Sequence, residues 1–390
     1  MRPATRIGVV LGSRPEAIKL APVIQAIRAR SNLEAVVIST GQNGQMLAPA
    51  LDAFGLRPDH ALQSLVPGQT LHDTASRTLL GLRELFREQP RPFDWVVVQG
   101  DTTTAFAAAL AAFYAQIPVA HVEAGLRSGR RYAPFPEEIN RRLVDQLSER
   151  LFAPTQSARD QLLAEGFRPQ QVHVTGNTVV DALQAARKLV RGRRISLPGV
   201  ADAALTGRRM LLVTAHRQES FGPGLLSIFR ALRRLVEDLP DVCVVYPPHL
   251  DPSVDGPAHE LLGGRDRIHL VPPLSYLEFV AAMERAHLVL TDSGSVQEEA
   301  PTLGKPLVVL RDVTERPEGI AAGVARLAGT SERRIYDETR RLLEDDAAYR
   351  RMATGINPYG DGRASERIVD LLQGNDAAAT ITLATRALAS

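Results

Sequence analysis

The stretch that decides the fold is Ile7-Gly-Val-Val-Leu-Gly-Ser-Arg-Pro-Glu-Ala-Ile-Lys19. Its first five residues form an apolar run typical of a buried strand, and a glycine-containing turn then leads into a segment of helical period. Similar runs alternate with helical segments along the first half of the chain, which indicates βαβ units in a parallel sheet. The predicted strands are Ile7–Leu11, Ala35–Ser39, Trp95–Gln99, Val119–Val122, Leu151–Pro154 and Val172–Thr175.

The same alternation restarts after a Gly-, Pro- and Arg-rich passage, Arg191–Arg209. The second set of predicted strands is Met210–Thr214, Val242–Tyr246, Ile268–Val271, Leu288–Thr291 and Leu307–Leu310. The sequence therefore predicts an α/β protein with two doubly wound, Rossmann-like domains, residues 1–190 and 205–362. Ligands bind at the carboxyl ends of the strands in such sheets, so we expect the active cleft between the domains. Residues 375–390 lack a strong pattern and are expected to form a flexible tail.

Composition restricts the possible function classes. The 390 residues contain 44% hydrophobic residues and carry a formal net charge of +2. This charge is too small to favour wholesale binding of nucleic acid or a membrane surface. No stretch has the length and apolarity of a membrane span or a signal peptide, and the single cysteine, Cys243, lies in an apolar run. We therefore expect a cytoplasmic protein without disulfides.

The first turn argues against a nicotinamide cofactor. It has one glycine, Gly12, where the dinucleotide fingerprint has three, and the second predicted strand ends in Ser39-Thr40-Gly41 without an acidic residue for a ribose. A P-loop motif is also absent from the sequence. Arg14 and Lys19 instead place two cations after the first strand, which suits a phosphate. The alternative is that Arg14 pairs with Glu16 at the surface and that Lys19 merely covers apolar surface.

Three acidic residues fall after predicted strands or at a helix start, where α/β enzymes hold catalytic groups. Asp101 follows a strand and precedes an Ala-rich helix, so it is equally interpreted as a helix cap. Glu123 follows the next strand, with a local pair to Arg127 as the alternative. Glu137 lies in the first turn of a helix that begins at Pro136, where helix-dipole effects and an i,i+4 pair to Arg141 explain it equally well.

Two histidines follow strands of the second domain, namely His216 and His249. Together with the neighbouring Arg217 they indicate a site that handles anions and protons. The His and acidic residues lack the HxxxH or HExxH spacing of metal sites, and the loops contain no cysteine. We therefore predict that no metal is required.

A nucleotide diphosphate site is predicted where the strand Leu288–Thr291 passes through a small polar turn into a helix. The first amides of the helix can bind an anion, and Ser293 and Ser295 add hydroxyl groups. Glu299, one turn later, can accept hydrogen bonds from ribose hydroxyls. Arg311 and Arg316 follow the next strand and supply charge for a diphosphate. A capped helix with a solvated glutamate is the alternative.

These residues lie in stretches that match a known family in order along nearly the whole chain. The sequence closely resembles the bacterial non-hydrolysing UDP-N-acetylglucosamine 2-epimerases, and the combination of motifs is highly specific. The matching stretches are Gly12–Lys19, Gly100–Thr104, His121–Arg127, Pro136–Arg141, Thr175–Thr178, His216–Gly222, Tyr246–Leu250, Thr291–Pro301, Thr314–Glu318 and Asn357–Gly362.

The resemblance implies a GT-B-type fold, a homodimer, and a last helix, residues 363–374, that crosses back to the first domain. It also implies interconversion of UDP-N-acetylglucosamine and UDP-N-acetylmannosamine, which supplies precursors of cell-surface polysaccharides. Transient oxidation by NAD is disfavoured by the first turn, which favours loss and re-addition of UDP through a 2,3- or a 1,2-unsaturated sugar. The resemblance implies the 1,2-unsaturated sugar, 2-acetamidoglucal. We expect neither NAD nor a required metal. The UDP-sugar is the expected partner.

Site roles are carried over by resemblance, residue by residue. The expected catalytic residues are Asp101, Glu123, Glu137, Lys19 and His216. The expected substrate-binding residues are Arg14, His249, Phe279, Ser293, Gly294, Ser295, Glu299 and Arg316. Several family members have an allosteric UDP-N-acetylglucosamine site, whose glutamines match Gln42, Gln45 and Gln69. Asn43 and Gly44 replace a common His-Arg pair, which weakens the expectation of allosteric activation, and Ser295 replaces a usual glycine.

Three alternatives stay open. A hydrolysing 2-epimerase would release UDP and N-acetylmannosamine, and a related 2-epimerase would act on a UDP-diacetamido sugar. A non-catalytic regulator would keep the nucleotide site and lose the acids. Since all three acids are present, the regulator is ranked last.

Overall fold

The computed structural model describes residues 4–41, 44–62, 68–89, 91–193 and 195–375, and for residues 44–46 and 218 the backbone alone. The described chain divides into two compact units. The first unit contains the chain up to Ala185 and resumes at Tyr359, and the second runs from Ala186 to Pro358. The first unit is therefore built from two separate segments of the chain.

The first unit contains a seven-stranded sheet in which every pair of neighbours is parallel. Its strands are β1 (Thr5–Leu11), β2 (Leu33–Ser39), β3 (His60–Ala61), β4 (Trp95–Gln99), β5 (Val119–Val122), β6 (Arg150–Ala153) and β7 (Val172–Val174). The spatial order is β3-β2-β1-β4-β5-β6-β7. This is the doubly wound order with one strand added.

The second unit repeats this arrangement with six parallel strands. They are β8 (Arg209–Thr214), β9 (Val242–Tyr246), β10 (Ile268–Leu270), β11 (Leu288–Thr291), β12 (Leu307–Val309) and β13 (Ala325–Leu327). Their spatial order is β10-β9-β8-β11-β12-β13. The predicted fold class of two parallel α/β sheets is therefore confirmed, whereas the short strands β3 and β13 were not predicted.

The strands are visible in the sequence because they are buried on both faces. Val96, Val97 and Val98 of β4 and Leu211 and Leu212 of β8 are fully buried. Continuous apolar runs are what such strands require, since no side of the strand is left for water. The ends of the predicted strands differ from the observed ends by at most two residues.

Helices connect the strands in both units. In the first segment they are α1 (Arg14–Arg28), α2 (Gly44–Ala53), α3 (Leu71–Glu88), α4 (Thr103–Tyr114), α5 (Glu137–Leu147), α6 (Gln156–Ala164) and α7 (Thr178–Arg191). The others are α8 (Asp202–Leu205), α9 (Pro223–Asp238), α10 (Pro252–Leu262), α11 (Tyr276–Arg285), α12 (Gly294–Glu299), α13 (Pro317–Ala321), α14 (Glu332–Glu344), α15 (Asp346–Met352) and α16 (Ala364–Leu372). Within the described ranges, no helix combines the length and apolarity needed to cross a membrane.

Helix α16 belongs to the first unit and packs against α1. Arg30, just beyond α1, pairs with Asp370 of α16 at 2.7 Å. At the other end of α16, the Asp181 carboxylate accepts hydrogen bonds from the amides of Ala364 at 3.2 Å and Ser365 at 2.8 Å. Burial raises the pKa of Asp181 to about 6. Side-chain and backbone contacts thus fasten the returning segment to the first unit.

Candidate active site

In each unit, predicted site residues follow two neighbouring central strands. β1 and β4 are adjacent in the first sheet, and β8 and β11 are adjacent in the second. After β1 the strands are added towards one edge of the sheet, and from β4 onwards towards the other edge. A doubly wound sheet binds ligands at the point where the strand order reverses in this way. Arg14 and Asp101 follow β1 and β4, while His216 and Ser293 follow β8 and β11. Arg14 is half-buried and begins α1.

Asp101 lies in the turn between β4 and α4. Its carboxylate accepts a hydrogen bond from the Arg141 guanidinium, and its carbonyl accepts one from the Asn140 amide at 3.0 Å. The side chain keeps 29% exposure, so a ligand can reach it. The interpretation of Asp101 as the helix cap is wrong, because the Thr102 hydroxyl caps α4 by accepting from the Ala105 amide at 3.0 Å.

Glu123 follows β5 and forms a buried ion pair with Lys19 of α1. The Lys19 Nζ lies 2.8 Å and 2.6 Å from the two carboxylate oxygens, and both side chains are less than a tenth exposed. The interpretation of Lys19 as a surface residue is therefore wrong. The local pair between Glu123 and Arg127 is also wrong, because Arg127 contacts Asp145 and Glu165 instead.

Two amides complete the surroundings of the Glu123 carboxylate. The Gln99 amide donates to one oxygen, and the Asn177 amide donates to the other at 3.0 Å. The backbone of Glu123 is in the left-handed region, with φ at 71°, a strain typical of functional sites. Sequence analysis gave no role to Gln99 or Asn177. Their positions in the sequence could have indicated a role, because Gln99 is the polar last residue of β4 and Asn177 follows β7.

The first turn of α5 contains two glutamates in different surroundings. Glu137, the predicted one, is half-buried. Glu138 is fully buried and accepts from the Ser128 amide at 2.9 Å, from Arg141 at 3.5 Å and from Arg142 at 3.1 Å. Sequence analysis missed Glu138, although its spacing to both arginines was the signal. It supports the guanidinium of Arg141, which in turn contacts Asp101.

The turn after β1 is held by Glu16. Its carboxylate accepts from the amides of Gly12 at 2.6 Å and Ser13 at 2.7 Å, and from the Thr102 hydroxyl at 2.6 Å. Burial raises the pKa of Glu16, and these hydrogen bonds oppose the rise. The interpretation of a surface pair between Arg14 and Glu16 is wrong, because Glu16 is buried and its oxygens serve these three donors.

The glutamines of the predicted allosteric site are only partly described. Gln69 is half-buried and precedes the cap of α3. Gln45 lies in α2, but its side chain is outside the described part, and Gln42 lies outside the described residues altogether. An allosteric role for them stays a prediction.

In the second unit, Asp292 organises the loop that carries His216. Its buried carboxylate accepts from the amides of His216 at 2.6 Å and Arg217 at 2.8 Å. The His216 ring stacks on the His249 ring, with centroids 5.8 Å apart and planes at 17°. Partial desolvation lowers the pKa of His216, and the Asp292 carboxylate opposes this shift. The imidazole is therefore mainly neutral at pH 7 and can exchange a proton.

The turn before α12 presents small groups beside an arginine. Ser293 and Ser295 are half-buried, and Gly294 separates them. A Cβ at Gly294 would lie 3.1 Å from the guanidinium carbon of Arg316. The Arg316 Nε donates to the buried Glu298 carboxylate at 3.0 Å. A glycine at this point therefore lets the anchored guanidinium lie directly against the first turn of α12.

Glu299 lies buried at the end of α12. The Tyr276 hydroxyl donates to one of its oxygens at 2.8 Å. Phe279 lies one turn further along α11 and is half-buried. The contact of Tyr276 therefore places α11, the helix that contains Phe279, against Glu299. A carboxylate beside a helix with an aromatic ring suits a ribose and a base. Tyr276 was missed by sequence analysis, since nothing in its own helix indicates a partner.

Arg311, just after β12, is buried between two carboxylates. Its guanidinium pairs with Glu219 at 2.6 Å and with Glu315. Burial disfavours ionisation of Glu315, but the hydrogen bond from Arg311 and the nearby Arg316 outweigh it and lower its pKa to about 2. The Arg311 guanidinium therefore lies between two carboxylates, and its role at a diphosphate stays a prediction.

The two units offer different chemistry. The first holds carboxylates against buried cations, which suits proton transfer at a substrate carbon. The second presents a neutral imidazole, hydroxyl groups and an anchored arginine, which suits a phosphorylated ligand. Across the described ranges, no group of three or more His, Cys, Asp or Glu side chains is arranged to hold a metal ion.

Comparison with known proteins shows which family the chain resembles. The profile of the family described as UDP-N-acetylglucosamine 2-epimerase matches residues 25–373. The UDP-N-acetylglucosamine 2-epimerase of Bacillus subtilis is 47% identical, over 94% of this chain and 94% of that protein. The one from Escherichia coli K12 is 45% identical, over 95% and 99%.

A solved structure is similar over nearly the same extent. The UDP-GlcNAc 2-epimerase from Neisseria meningitidis, bound to UDP-GlcNAc, is 41% identical and has a TM-score of 0.88, with 95% of this chain and 100% of that chain covered. This similarity confirms the predicted fold class, two Rossmann-like domains of GT-B type. Together with the profile match and the two relatives, it shows that this chain belongs to the UDP-N-acetylglucosamine 2-epimerase family.

Proposed function

We propose that this chain interconverts UDP-N-acetylglucosamine and UDP-N-acetylmannosamine by eliminating and re-adding UDP. The observation that carries the proposal is the pair of carboxylates, Asp101 and Glu123, at neighbouring strand ends of the first unit, each held by a cation. Inversion at C2 requires proton transfer on both faces of that carbon, for which two positioned carboxylates are suited. The names of the relatives support the same substrate.

The reaction has two steps, an elimination and an addition. In the first, a carboxylate removes the C2 proton, the C1–O bond breaks, and the electron pair of the C–H bond forms the C1=C2 bond of 2-acetamidoglucal. UDP leaves with the electrons of the C1–O bond. In the second, a proton reaches C2 from the opposite face and UDP re-forms its bond to C1. Asp101, Glu123 and Glu137 are the proposed acids and bases, and Lys19 and His216 assist them.

The second unit is proposed to bind the nucleotide. Arg316 and His249 contact the diphosphate together with Ser293, Gly294 and Ser295 of the turn, and Arg14 adds a further positive charge. Glu299 accepts from the ribose hydroxyls, and Phe279 contacts uracil. Positive groups on the diphosphate stabilise the charge that develops as UDP departs. The anchored guanidinium of Arg316 supports this assignment.

No cofactor is proposed. In dinucleotide-binding folds the pyrophosphate is bound by amides at the start of the first helix. Here the carboxylate of Glu16 accepts the hydrogen bonds of the Gly12 and Ser13 amides. Elimination and re-addition also leave the sugar in its original oxidation state, so the proposed chemistry needs neither NAD nor a metal ion.

We further propose a cytoplasmic homodimer. The adjacent helices α3, α4 and α5 expose several large apolar side chains, and a second copy would cover them. The exposed fractions are 49% for Leu80, 55% for Phe113, 68% for Tyr114 and 41% for Leu143. The proposed substrate, a nucleotide sugar, and the buried thiol of Cys243 both suit the reducing cytoplasm.

The proposal is tested with UDP-N-acetylglucosamine in D2O, without NAD or metal. We expect deuterium at C2 of both epimers, both recovered as UDP-sugars without accumulation of free UDP, as followed by NMR and mass spectrometry. Stoichiometric release of free UDP with N-acetylmannosamine would instead establish a hydrolysing enzyme. Unchanged substrate would contradict the proposal and favour a UDP-diacetamido sugar or a non-catalytic role.

The nucleotide site gives a second test, at Gly294. Gly294→Ala is expected to weaken UDP binding about tenfold, because the added methyl group crowds the Arg316 guanidinium. The hydrogen bond from Arg316 to Glu298 limits how far the guanidinium can move away. Isothermal titration with UDP measures the effect. Gly256→Ala in α10 is the control, since its added methyl group meets no atom within 4 Å. Equal UDP affinity in the two variants would show that Arg316 does not bind UDP.

A further inference from the structure

His121 is a buried residue of β5 to which the proposed reaction gives no role. Its Nε2 lies 2.9 Å from the carbonyl oxygen of Gly100, and its Nδ1 lies 2.7 Å from a carboxylate oxygen of Asp145 in α5. The side chains of His121 and Asp145 are fully buried. Because water does not reach the ring, these two oxygens are the groups that must satisfy it.

The two contacts fix the number of hydrogens on the ring. A backbone carbonyl and a carboxylate only accept hydrogen bonds, so each contact requires an N–H from the imidazole. A ring that satisfies both oxygens carries a hydrogen on both nitrogens and a positive charge. Asp145 balances this charge, and its second oxygen lies 2.8 Å from Arg127, which also pairs with Glu165. Positive and negative charges therefore alternate along four neighbouring side chains, in the order His121, Asp145, Arg127 and Glu165.

The contact at Gly100 matters because the next residue in the chain is Asp101. Gly100 has a positive φ of 71°, which glycine adopts without strain, and its amide donates to the Val122 carbonyl of β5 at 3.0 Å. The site of a Cβ at Gly100 lies 3.9 Å from a carboxylate oxygen of Glu123. The contact at the Gly100 carbonyl therefore acts together with those of Asn140 and Arg141 to set where Asp101 lies relative to Glu123.

We propose that His121, held as an imidazolium by Asp145, is a positioning residue that fixes the Gly100 carbonyl and thereby the carboxylate of Asp101. This inference rests on the proposed function, in which Asp101 transfers a proton. His121 touches neither substrate nor reacting atoms. It acts through the peptide that precedes Asp101, and Glu123 follows two residues after His121, just beyond the end of the same strand.

Two conservative variants test the two hydrogen bonds of the His121 ring one at a time. A glutamine places its amide nitrogen near the position of Nε2 and keeps the donor to Gly100, whereas an asparagine reaches only the position of Nδ1 and keeps the donor to Asp145. We expect His121→Asn to lower kcat about 30- to 100-fold, because displacements of about 1 Å cost this much. His121→Gln should stay within about threefold of the wild type, and KM should change little in both.

A control variant and a hydrogen-exchange measurement distinguish a positioning role of His121 from a general loss of structure. His173→Gln, in β7 of the same sheet, is the control and should leave kcat unchanged. Hydrogen exchange of the peptide that covers Gln99–Thr103 should be faster in His121→Asn than in His121→Gln. Equal losses of kcat in the two variants, or an asparagine variant with wild-type kcat, would overturn the positioning role.

Two measurements do not depend on catalysis. In ¹⁵N-histidine spectra of the wild type, both ring nitrogens of His121 should bear a hydrogen at neutral pH, and a bare nitrogen would overturn the imidazolium. If the wild type shows no epimerase turnover, the proposed function fails by itself. The hydrogen-exchange comparison then still decides whether His121 fixes the turn, because equal exchange in both variants would refute it.

Discussion

Replacing Asp101 with asparagine is expected to lower kcat about a thousandfold and to leave the affinity for UDP near that of the wild type. The amide has nearly the shape of the carboxylate but cannot take up or deliver the proton at C2. The carboxylate is held by Arg141 and remains 29% exposed, so its loss removes a reachable proton carrier. UDP binding is proposed to depend on the second unit and should not respond.

The measurement is steady-state epimerisation together with isothermal titration of UDP. Asp160→Asn is the matched control, because Asp160 lies in α6 of the same unit with 62% of its side chain exposed. It should keep wild-type kcat. If the Asp101 variant turned over at the control rate, Asp101 would have no part in the reaction, and a parallel loss of UDP affinity would point to a binding role.

The second large effect is expected at the buried pair of Lys19 and Glu123. Lys19→Met should lower the free energy of unfolding of the first unit by about 3 kcal/mol, because it leaves a buried carboxylate without its cation. Gln99 and Asn177 still donate to Glu123, but amides do not balance its charge. Turnover should also be lost, since the variant removes an ammonium from the proposed site.

The double variant Lys19→Met/Glu123→Gln should recover most of this stability and no turnover, since a neutral pair no longer buries a lone charge. Trp95 is the single tryptophan and lies in β4, so its fluorescence during denaturation reports on the first unit. Arg87→Met, in α3 of the same unit with 73% of its side chain exposed, is the control. A double variant as unstable as Lys19→Met would show that the charge of Glu123 is not the cause.

The strand framework could be predicted from the sequence because its signal is local. Both faces of β4, β5, β9 and β11 are covered, so each is mainly apolar, with Gln99, His121 and Thr291 as the polar exceptions. The predicted bounds of these four strands equal the observed ones. β3 and β13 have two and three residues, which is too short for any period to show. Sheet order, in contrast, depends on packing between distant segments.

The candidate site residues could be placed at strand ends, but their partners could not. Lys19 and Glu123 are 104 positions apart, and only the order of β1, β4 and β5 brings them together. Sequence spacing offered Arg127 as a partner for Glu123 instead. The cap of α4 was misplaced by one residue, because Asp101 and Thr102 are both good caps and the choice depends on Arg141, which comes from α5.

The return of α16 to the first unit has a consequence for how the chain is made. On the ribosome, the residues up to Ala185 emerge early, yet α16, whose Ile368, Val369 and Leu372 are buried, emerges only after the entire second unit. Nascent chains usually complete their N-terminal domain first. Here the second unit is continuous and can fold before α16 is made, so the surface of α1 that α16 later covers stays exposed until the second unit has been translated.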